Sequence, residues 1–179
     1  MDVKGLYRVL AERKQVNALG ATVQMAHETG WFRSKPMMAH WNLGGIKCTR
    51  SWRNKGGACF DAKTWEESGG VRQDLVLGFR SYPSLSAFLD DYERLIRAYY
   101  PLSDRSIDCV WLYYAGLHGK WATDSAYFKR LVAMTPRVAG ELGISLDTLR
   151  GSHRAALERG YPQGWMVATV ERSLGNHDG

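Results

Sequence analysis

Several features are scarce or missing in this chain of 179 residues, and each absence argues against a class of protein. Three cysteines are too few for a disulfide scaffold, and their spacing matches no zinc module. No apolar run approaches the length of a transmembrane helix, so we expect no membrane insertion. The first fifteen residues are charged and amphipathic and lack the apolar core and cleavage site of a signal peptide. We therefore expect synthesis in the cytoplasm, or export by a route that the sequence does not show.

The composition that remains is that of one globular domain or one domain with a tail. Hydrophobic residues make up 45% and aromatic residues 12%, which is enough for a substantial core. The net charge is +6 and the isoelectric point about 9.3. This balance suits an anionic partner such as nucleic acid, a membrane surface or an acidic wall polymer, without choosing among them.

The cysteines leave two interpretations open. Cys48 and Cys59 could pair across the base of a loop in an oxidising compartment, and buried free thiols explain the sequence at least as well.

Hydrophobic periodicity predicts a mostly helical α+β chain with one β-hairpin. The hairpin is expected over residues 58–80, with SGG as its turn, and residues 33–57 are expected to form a loop. Helices are predicted around Leu6 to Leu10, at 17–29, at 83–100 before Pro101, around 107–114, from an N-cap at Thr123 to a stop at Pro136, and near 145–158 and 164–174.

The stretch MAHETGW places a single acid, Glu28, in the last turn of the second predicted helix. A helical wheel puts it on the flank of the apolar stripe, so we expect it to be half-buried. Apolar neighbours such as Met25 and Trp31 disfavour its ionised form, which predicts a raised pKa. Such an acid can donate a proton to a leaving oxygen, the chemistry that glycoside hydrolysis needs. The hairpin offers the second carboxylate, from Asp61, Glu66, Glu67 or Asp74.

Four motifs in sequence order resemble those of one enzyme family. ATVQMAHETGW is similar to Q-x-A-x-E-[ST]-G-W, and WNLGGIK to N-L-F-G-I-K. FRSYPSLSAFLDDY is similar to F-R-x-Y-x-S-x-x-x-S-x-x-D-Y, and KWATDSAYFKRLV to Y-A-T-D-P-x-Y-A-x-K-L. These segments, within residues 17–135, resemble the bacterial and phage glucosaminidases of glycoside hydrolase family 73, which cut peptidoglycan.

The resemblance implies a lysozyme-like fold with the hairpin beside an active-site cleft. It implies hydrolysis of the bond between N-acetylglucosamine and N-acetylmuramic acid, leaving N-acetylglucosamine at the reducing end. Glu28 would be the general acid and Glu66, in TWEE, the second acid, with Glu67 as its rival. The chain departs from the family at Trp121, where Tyr is frequent, and at Ser125, where Pro is usual.

Substrate contacts are predicted for side chains that the resemblance places along the cleft. Trp31, Tyr82 and Trp121 could stack on sugar rings, although aromatic residues more often belong to a core. Asn42 and Glu67 would supply polar contacts. HETGW lacks the second His of a metalloprotease motif, so we expect no metal and no cofactor. No motif supports nucleic-acid binding, which leaves peptidoglycan glycan strands as the expected partner of a monomer.

Residues 1–135 are expected to form the catalytic domain, and residues 136–179 a helical extension packed on it. Trp165, Met166, Val167 and Val170 would supply the packing face, with a wall-binding or partner-docking element as the alternative. Two other functions stay open: a muramidase or lytic transglycosylase on the same frame, and a non-catalytic glycan-binding module. The expected place of action is the cell wall, and the missing signal peptide favours a phage or prophage origin, with release for lysis or carriage on the virion.

Overall fold

The computed structural model describes residues 1–68, 71–122 and 124–175, and the side chains of residues 65–68, 71 and 72 lie outside this description. A mostly helical chain with one antiparallel hairpin is found, so the predicted α+β class is confirmed. The elements in the described residues are α1 (Val3–Arg13), α2 (Ala18–Glu28), α3 (Lys35–Ala39), α4 (Arg50–Asn54), β1 (Cys59–Ser68), β2 (Val71–Arg80), α5 (Leu85–Tyr99), α6 (Pro101–Asp104), α7 (Val110–Leu117), α8 (Tyr127–Glu141), α9 (Leu146–Arg159) and α10 (Gly164–Gly175). No helix among the described residues is long and apolar enough to cross a membrane.

The chain divides into two compact units. One unit comprises Met1–Gln24 with Leu95–Gly179, and the other comprises Met25–Arg94. In the first unit α7 is apolar on every side and all of its residues are buried, as expected of a helix surrounded by others. It contacts α6, α8 and α9, and α8 in turn contacts α1, α9 and α10.

The start of α2 is fixed within this first unit. The side-chain amide of Asn17 donates to the carbonyl of Ile107 at 2.7 Å, and its oxygen accepts from the backbone N–H of Gly20 at 2.7 Å. A Cβ at Gly20 would meet the ring of Tyr113 at 2.6 Å, so only glycine permits this close approach of the helix to Tyr113. These contacts fix the N-terminal end of the helix that carries Glu28.

The predicted helix stop at Pro136 is wrong, because Pro136 lies inside α8. Proline cannot donate a hydrogen bond to the carbonyl four residues earlier, here that of Val132. The hydroxyl of Ser173 in α10 donates to that carbonyl instead, at 3.3 Å. A tertiary contact therefore supplies the donor that the local sequence lacks. Because α8 runs unbroken across residues 135 and 136, no helix end marks the expected domain boundary, and the division there stays a prediction.

In the second unit the hairpin is joined to the segment that precedes it. β1 and β2 pair in register from Cys59 opposite Arg80 to Ser68 opposite Val71. The segment before α4 continues the pairing at the base: Cys48 N–H donates to the Gly78 carbonyl at 2.8 Å. A disulfide links Cys48 to Cys59, which decides between the two interpretations of these cysteines. Cys109 is free and buried.

The expectation of a loop over residues 33–57 is wrong in part, since α3 and α4 lie within it. Each has five residues, too few to show helical periodicity in the sequence. Local signals support them: Pro36 lies at the start of α3, and the Thr49 side chain caps α4 by accepting from Trp52 N–H at 3.2 Å.

Candidate active site

Glu28 is the last residue of α2, and the chain leaves the helix through an unusual turn. Gly30, Trp31 and Phe32 have φ angles of 55°, 61° and 61°. Glycine adopts this left-handed conformation readily, whereas other residues are strained by about 1–3 kcal/mol each. Such strain persists only where surrounding contacts impose it, and it is frequent at functional sites.

Thr29 supplies the contacts that hold this turn. Its hydroxyl donates to the Met25 carbonyl at 2.6 Å and accepts from the Phe32 N–H at 3.0 Å. Its own carbonyl accepts from the N–H groups of Arg33 and Ser34 at 3.1 and 3.0 Å. Because Thr29 is fully buried, the hydroxyl at this position fixes the backbone that follows Glu28.

The side chain of Glu28 is half-buried, as expected, and lies against Gly45. A Cβ at position 45 would come within 3.1 Å of Glu28 Oε2. Gly45 also has a φ of 61°, so a side chain is disfavoured there both by the backbone and by the carboxyl group. The WNLGGIK segment therefore brings its second glycine to the candidate acid.

Asn42 holds the loop from residue 42 to residue 46. It is fully buried, and its amide donates to the carbonyls of Ile46 at 2.9 Å and Arg80 at 2.8 Å. Its oxygen accepts from the Ile46 N–H at 2.9 Å. Both amide donors are thus occupied within the protein, which gives Asn42 a positioning role; a direct contact with substrate stays a prediction.

Tyr82 belongs to a buried polar network. Its hydroxyl donates to Asp91 Oδ2 at 2.7 Å, and Arg80 Nη1 donates to the same oxygen at 2.6 Å. Arg94 donates to Asp91 Oδ1 at 2.6 Å, so both carboxylate oxygens are paired. The Tyr82 ring packs against Phe88 with its centroid at 5.4 Å. These contacts give the FRSY and DDY segments a structural role, and the sugar contact of Tyr82 stays a prediction.

Burial and neighbouring charges shift the pKa values of Tyr82 and Asp91 in this network. Burial and the adjacent Asp91 raise the pKa of Tyr82 well above its usual range. Burial also acts to raise the pKa of Asp91, but hydrogen bonds from Arg94, Tyr82 and Arg80 outweigh it and lower that pKa. Asp91 is therefore held as a carboxylate between two guanidinium groups.

The second candidate acid lies near the far end of the hairpin. Glu66 pairs with Gln73 and Glu67 with Arg72, and the side chains of both glutamates fall outside the described part of the structure. Asp61 and Asp74, the remaining candidates, are exposed.

The tryptophans differ in their surroundings. Trp31 is half-buried in the left-handed turn. Trp121 belongs to the first unit, where its ring lies 5.3 Å from that of Tyr100. Trp52 donates from its indole N–H to the Ala58 carbonyl at 2.9 Å, and the Arg80 guanidinium lies 4.6 Å from the centre of its ring. Trp52 thus joins the base of the hairpin to the network of Asp91.

Residues that sequence reasoning did not single out carry much of this arrangement. These residues are Thr29, Gly45, Arg80 and Asp91. All four lie within the quoted motifs, and this position in a motif was the sequence signal that could have identified them. Among the described side chains, no three His, Cys, Asp or Glu residues are grouped as ligands of a metal ion would be.

Comparison with known families places the chain. A family described as glucosaminidase, mannosyl-glycoprotein endo-beta-N-acetylglucosaminidase, matches residues 4–139. This chain belongs to that family. The glucosaminidase is therefore a glycoside hydrolase, as the motifs predicted, and its family match ends within α8. No curated protein matches the chain.

Solved structures agree with this assignment. A peptidoglycan hydrolase mutant from Sphingomonas sp. A1 is 28% identical, with a TM-score of 0.62, over 84% of this chain and 93% of the other. The catalytic domain of the autolysin Auto from Listeria monocytogenes is 24% identical, with a TM-score of 0.58, over 79% and 81%. A truncated glycoside hydrolase domain of FlgJ from Salmonella typhimurium is 24% identical, with a TM-score of 0.56, over 77% and 93%. These likenesses confirm the expected lysozyme-like fold of the glucosaminidase.

The first prediction concerns the contact between Glu28 and Gly45. Gly45→Ala should lower the free energy of unfolding by about 1–2 kcal/mol, because an alanine in the left-handed region is strained by that amount. The new methyl group should also displace the carboxyl of Glu28 and reduce glycan hydrolysis at least about ten-fold, since small misplacements of reacting groups are costly. Urea denaturation and initial rates on the same preparation measure the two effects.

Gly143→Ala is the matched control. Gly143 has a φ of 73° and no atom within 4 Å of the site of a Cβ, so it carries backbone strain without a steric contact. The control should lose similar stability and keep its hydrolysis rate. Equal rates for both variants would contradict the claim that Gly45 positions Glu28.

The second prediction concerns Asp91. Asp91→Asn should lower the free energy of unfolding by about 3 kcal/mol, because Arg80 is left as a buried charge without its carboxylate. The pKa of Asp91 is lowered by folding from an ordinary value near 3.8. The stability that it contributes is therefore present above that value and is lost as the pH falls through the folded pKa. Urea denaturation of wild type and variant between pH 7 and pH 2.5 should show the difference shrinking in acid.

Asp90→Asn provides the comparison, since Asp90 is the exposed neighbour on the same helix. It should change stability by less than about 0.5 kcal/mol at neutral pH. A loss as large as that of Asp91→Asn would argue against a special role for the buried network.

Proposed function

We propose that this glucosaminidase hydrolyses the bond between N-acetylglucosamine and N-acetylmuramic acid in peptidoglycan, with Glu28 as general acid. The observation that carries the proposal is the placement of Glu28: half-buried, at the end of α2, against a glycine of the 42–46 loop. The family description concerns N-acetylglucosaminidases, and the relative at 28% identity is a peptidoglycan hydrolase. Together they favour peptidoglycan over the mannosyl-glycoprotein of the family's name.

The surroundings of Glu28 suit proton donation. The C-terminal end of a helix carries partial negative charge, which disfavours a second negative charge at the same place. Gly45 adds no side chain above the carboxyl, which leaves room for a bulky sugar. In the proposed step Glu28 gives its proton to the glycosidic oxygen as the bond from that oxygen to the anomeric carbon breaks. An oxygen of water then forms the new bond to the anomeric carbon, and a proton of that water leaves to a base.

The second carboxylate is assigned to Glu66. The support for this assignment is the resemblance, which puts an acid at TWEE, on the strand that pairs with β2. Its task would be to orient or deprotonate the attacking water, or to stabilise positive charge at the anomeric carbon. Substrate contacts from Trp31, Tyr82, Trp121, Asn42 and Glu67 belong to the same proposal.

The disulfide between Cys48 and Cys59 supports action at the cell wall. Disulfides form and persist in oxidising surroundings and are rare in the cytosol. The disulfide between these cysteines therefore suits a protein that works outside the cytoplasm, where peptidoglycan lies.

The third prediction tests the bond and the acid together. Purified peptidoglycan is digested, the products are reduced with borohydride, and the new ends are identified by mass spectrometry. Wild type should release reduced N-acetylglucosamine ends, and Glu28→Gln should lower their rate of formation about 10²–10⁴-fold because the proton donor is lost. Glu158→Gln, at an exposed position of α9, controls for the loss of one negative charge and should act like wild type.

The other products have defined meanings. Reduced or anhydro N-acetylmuramic acid ends would replace the glucosaminidase assignment with a muramidase or a lytic transglycosylase. No new ends from peptidoglycan, with release from a mannosyl-glycoprotein instead, would move the substrate to the one in the family's name. No new ends from either substrate would leave a glycan-binding module.

The fourth prediction separates the two glutamates of the hairpin. Glu66→Gln should reduce the rate at least about 100-fold if it acts on the attacking water, whereas Glu67→Gln should reduce it less than about ten-fold. Initial rates and melting temperatures of the two single variants are compared in parallel. The reverse order would assign the role to Glu67, and two unaffected variants would remove the second acid from the mechanism.

A further inference from the structure

The net positive charge of the chain comes from one segment. Residues 33–63 contain seven Lys and Arg and a single acid, Asp61, whereas the rest of the chain contains seventeen residues of each sign. All seven basic side chains are exposed. Residues 33–63 therefore carry a local surplus of +6 within the second unit, whose remaining residues carry a net charge of −4.

Part of this charge is displayed on a rigid frame, the basic loop of residues 48–59. The disulfide closes the loop at its two ends, and Thr49 caps α4 inside it. Trp52 ties the helix to the other arm of the loop through its bond to the Ala58 carbonyl, and Gly57 lies so close to the indole that no Cβ fits between them. Arg50, Arg53 and Lys55 remain exposed on this frame.

The basic loop begins shortly after the glycine that contacts Glu28. Gly45 lies against the Glu28 carboxyl, and Cys48 begins the basic loop three residues later. The chain between them runs beside β2, where the Arg80 N–H donates to the Ile46 carbonyl at 2.9 Å. At about 3.3 Å per extended residue, the start of the loop lies at most about 10 Å from that glycine.

The chemistry of the substrate specifies what such a loop would meet. The sugars of a peptide-substituted glycan strand carry no charge, because the carboxyl of each N-acetylmuramic acid is joined to a peptide. The anions next to the cleaved bond are then the carboxylates of the peptide stems. An enzyme for this strand therefore gains from cations placed where the peptide stems pass.

We propose that the basic loop binds carboxylates of the peptide stems, so that the preferred substrate is peptidoglycan whose stem carboxylates are free and not amidated. This inference rests on the proposed function, because the stems matter only if peptidoglycan is the substrate. Arg50, Arg53 and Lys55 are the contacting cations. Asp61 is the single acid of residues 33–63, so it lowers the local charge only in part. Its Oδ1 and the Nη2 of Arg53 both lie near Gly78.

The experiment compares two substrates made from one batch of peptidoglycan from which phosphate polymers have been removed. One keeps its stem carboxylates, and in the other they have been converted to amides with a carbodiimide and excess ammonia, which leaves the peptides and the glycan in place. Formation of reduced N-acetylglucosamine ends gives kcat/KM for each. Wild type should favour the strand with free carboxylates about five-fold, since each exposed ion pair contributes little. The preference should fall as sodium chloride is raised, because salt screens exposed charges.

Three variants assign the preference to the loop. Arg50→Gln/Arg53→Gln/Lys55→Gln should bring the two kcat/KM values within about two-fold of each other, mainly through KM. Lys4→Gln/Arg154→Gln/Arg172→Gln removes three exposed charges from the first unit and should keep the preference. Arg50→Lys/Arg53→Lys keeps the charge and should keep the preference as well. If the first variant folds poorly, the fall of the wild-type preference with salt still tests its electrostatic origin.

The outcomes separate this inference from the function beneath it. Formation of N-acetylglucosamine ends from neither strand would overturn the proposed function. Equal kcat/KM on the two strands, or a preference that survives the first variant or high salt, would overturn the inference alone. A preference that appears only when wall phosphate polymers are left in place would assign the loop to phosphate and would also overturn it.

Discussion

The candidate site depends on the side-chain amide of Asn42, which joins the two ends of its loop to each other and to the last residue of β2. Two carbonyls and one N–H of the surrounding chain are paired with this single buried group. A buried polar group left unpaired costs about 1–3 kcal/mol, so loss of the amide would destabilise this conformation of the loop. The position of Gly45, and with it the surroundings of Glu28, follows from that constraint.

The Asp91 network plays the corresponding part at the base of the hairpin. Arg80 is at once the last residue of β2, a partner of Asp91 and the cation over Trp52. Because its backbone also pairs with Ile46, the same residue connects the hairpin, α5 and the 42–46 loop. Arg80 and Asp91, which lie in the FRSY and DDY segments, thus hold together the unit that carries Glu28.

Sequence reasoning was most successful where the signal is local. The regular spacing of Leu85, Phe88 and Leu89 continues through α5, and the alternation along residues 58–80 predicted the hairpin. It failed at Pro136, because the hydrogen-bond donor to the Val132 carbonyl comes from Ser173, which is distant in sequence. It also missed α3 and α4, because helices of five residues are too short to show a hydrophobic period. For the site, the motif indicated Glu28, and the flanking apolar residues indicated that its side chain is half-buried. The sequence could not indicate that the side chains of Asn42 and Tyr82 form hydrogen bonds with other groups of the protein.

The division into two units has a consequence for the order in which the protein can form during synthesis. The second unit is continuous in sequence, so all of it has been made once Arg94 leaves the ribosome. The first unit is discontinuous: Asn17 bonds to Ile107, ninety residues later. At about 5–20 residues per second, α1 and the start of α2 wait several seconds for the helices that cover them. During that interval the buried faces of these two helices are exposed, while the unit with the disulfide and Glu28 has its whole sequence available.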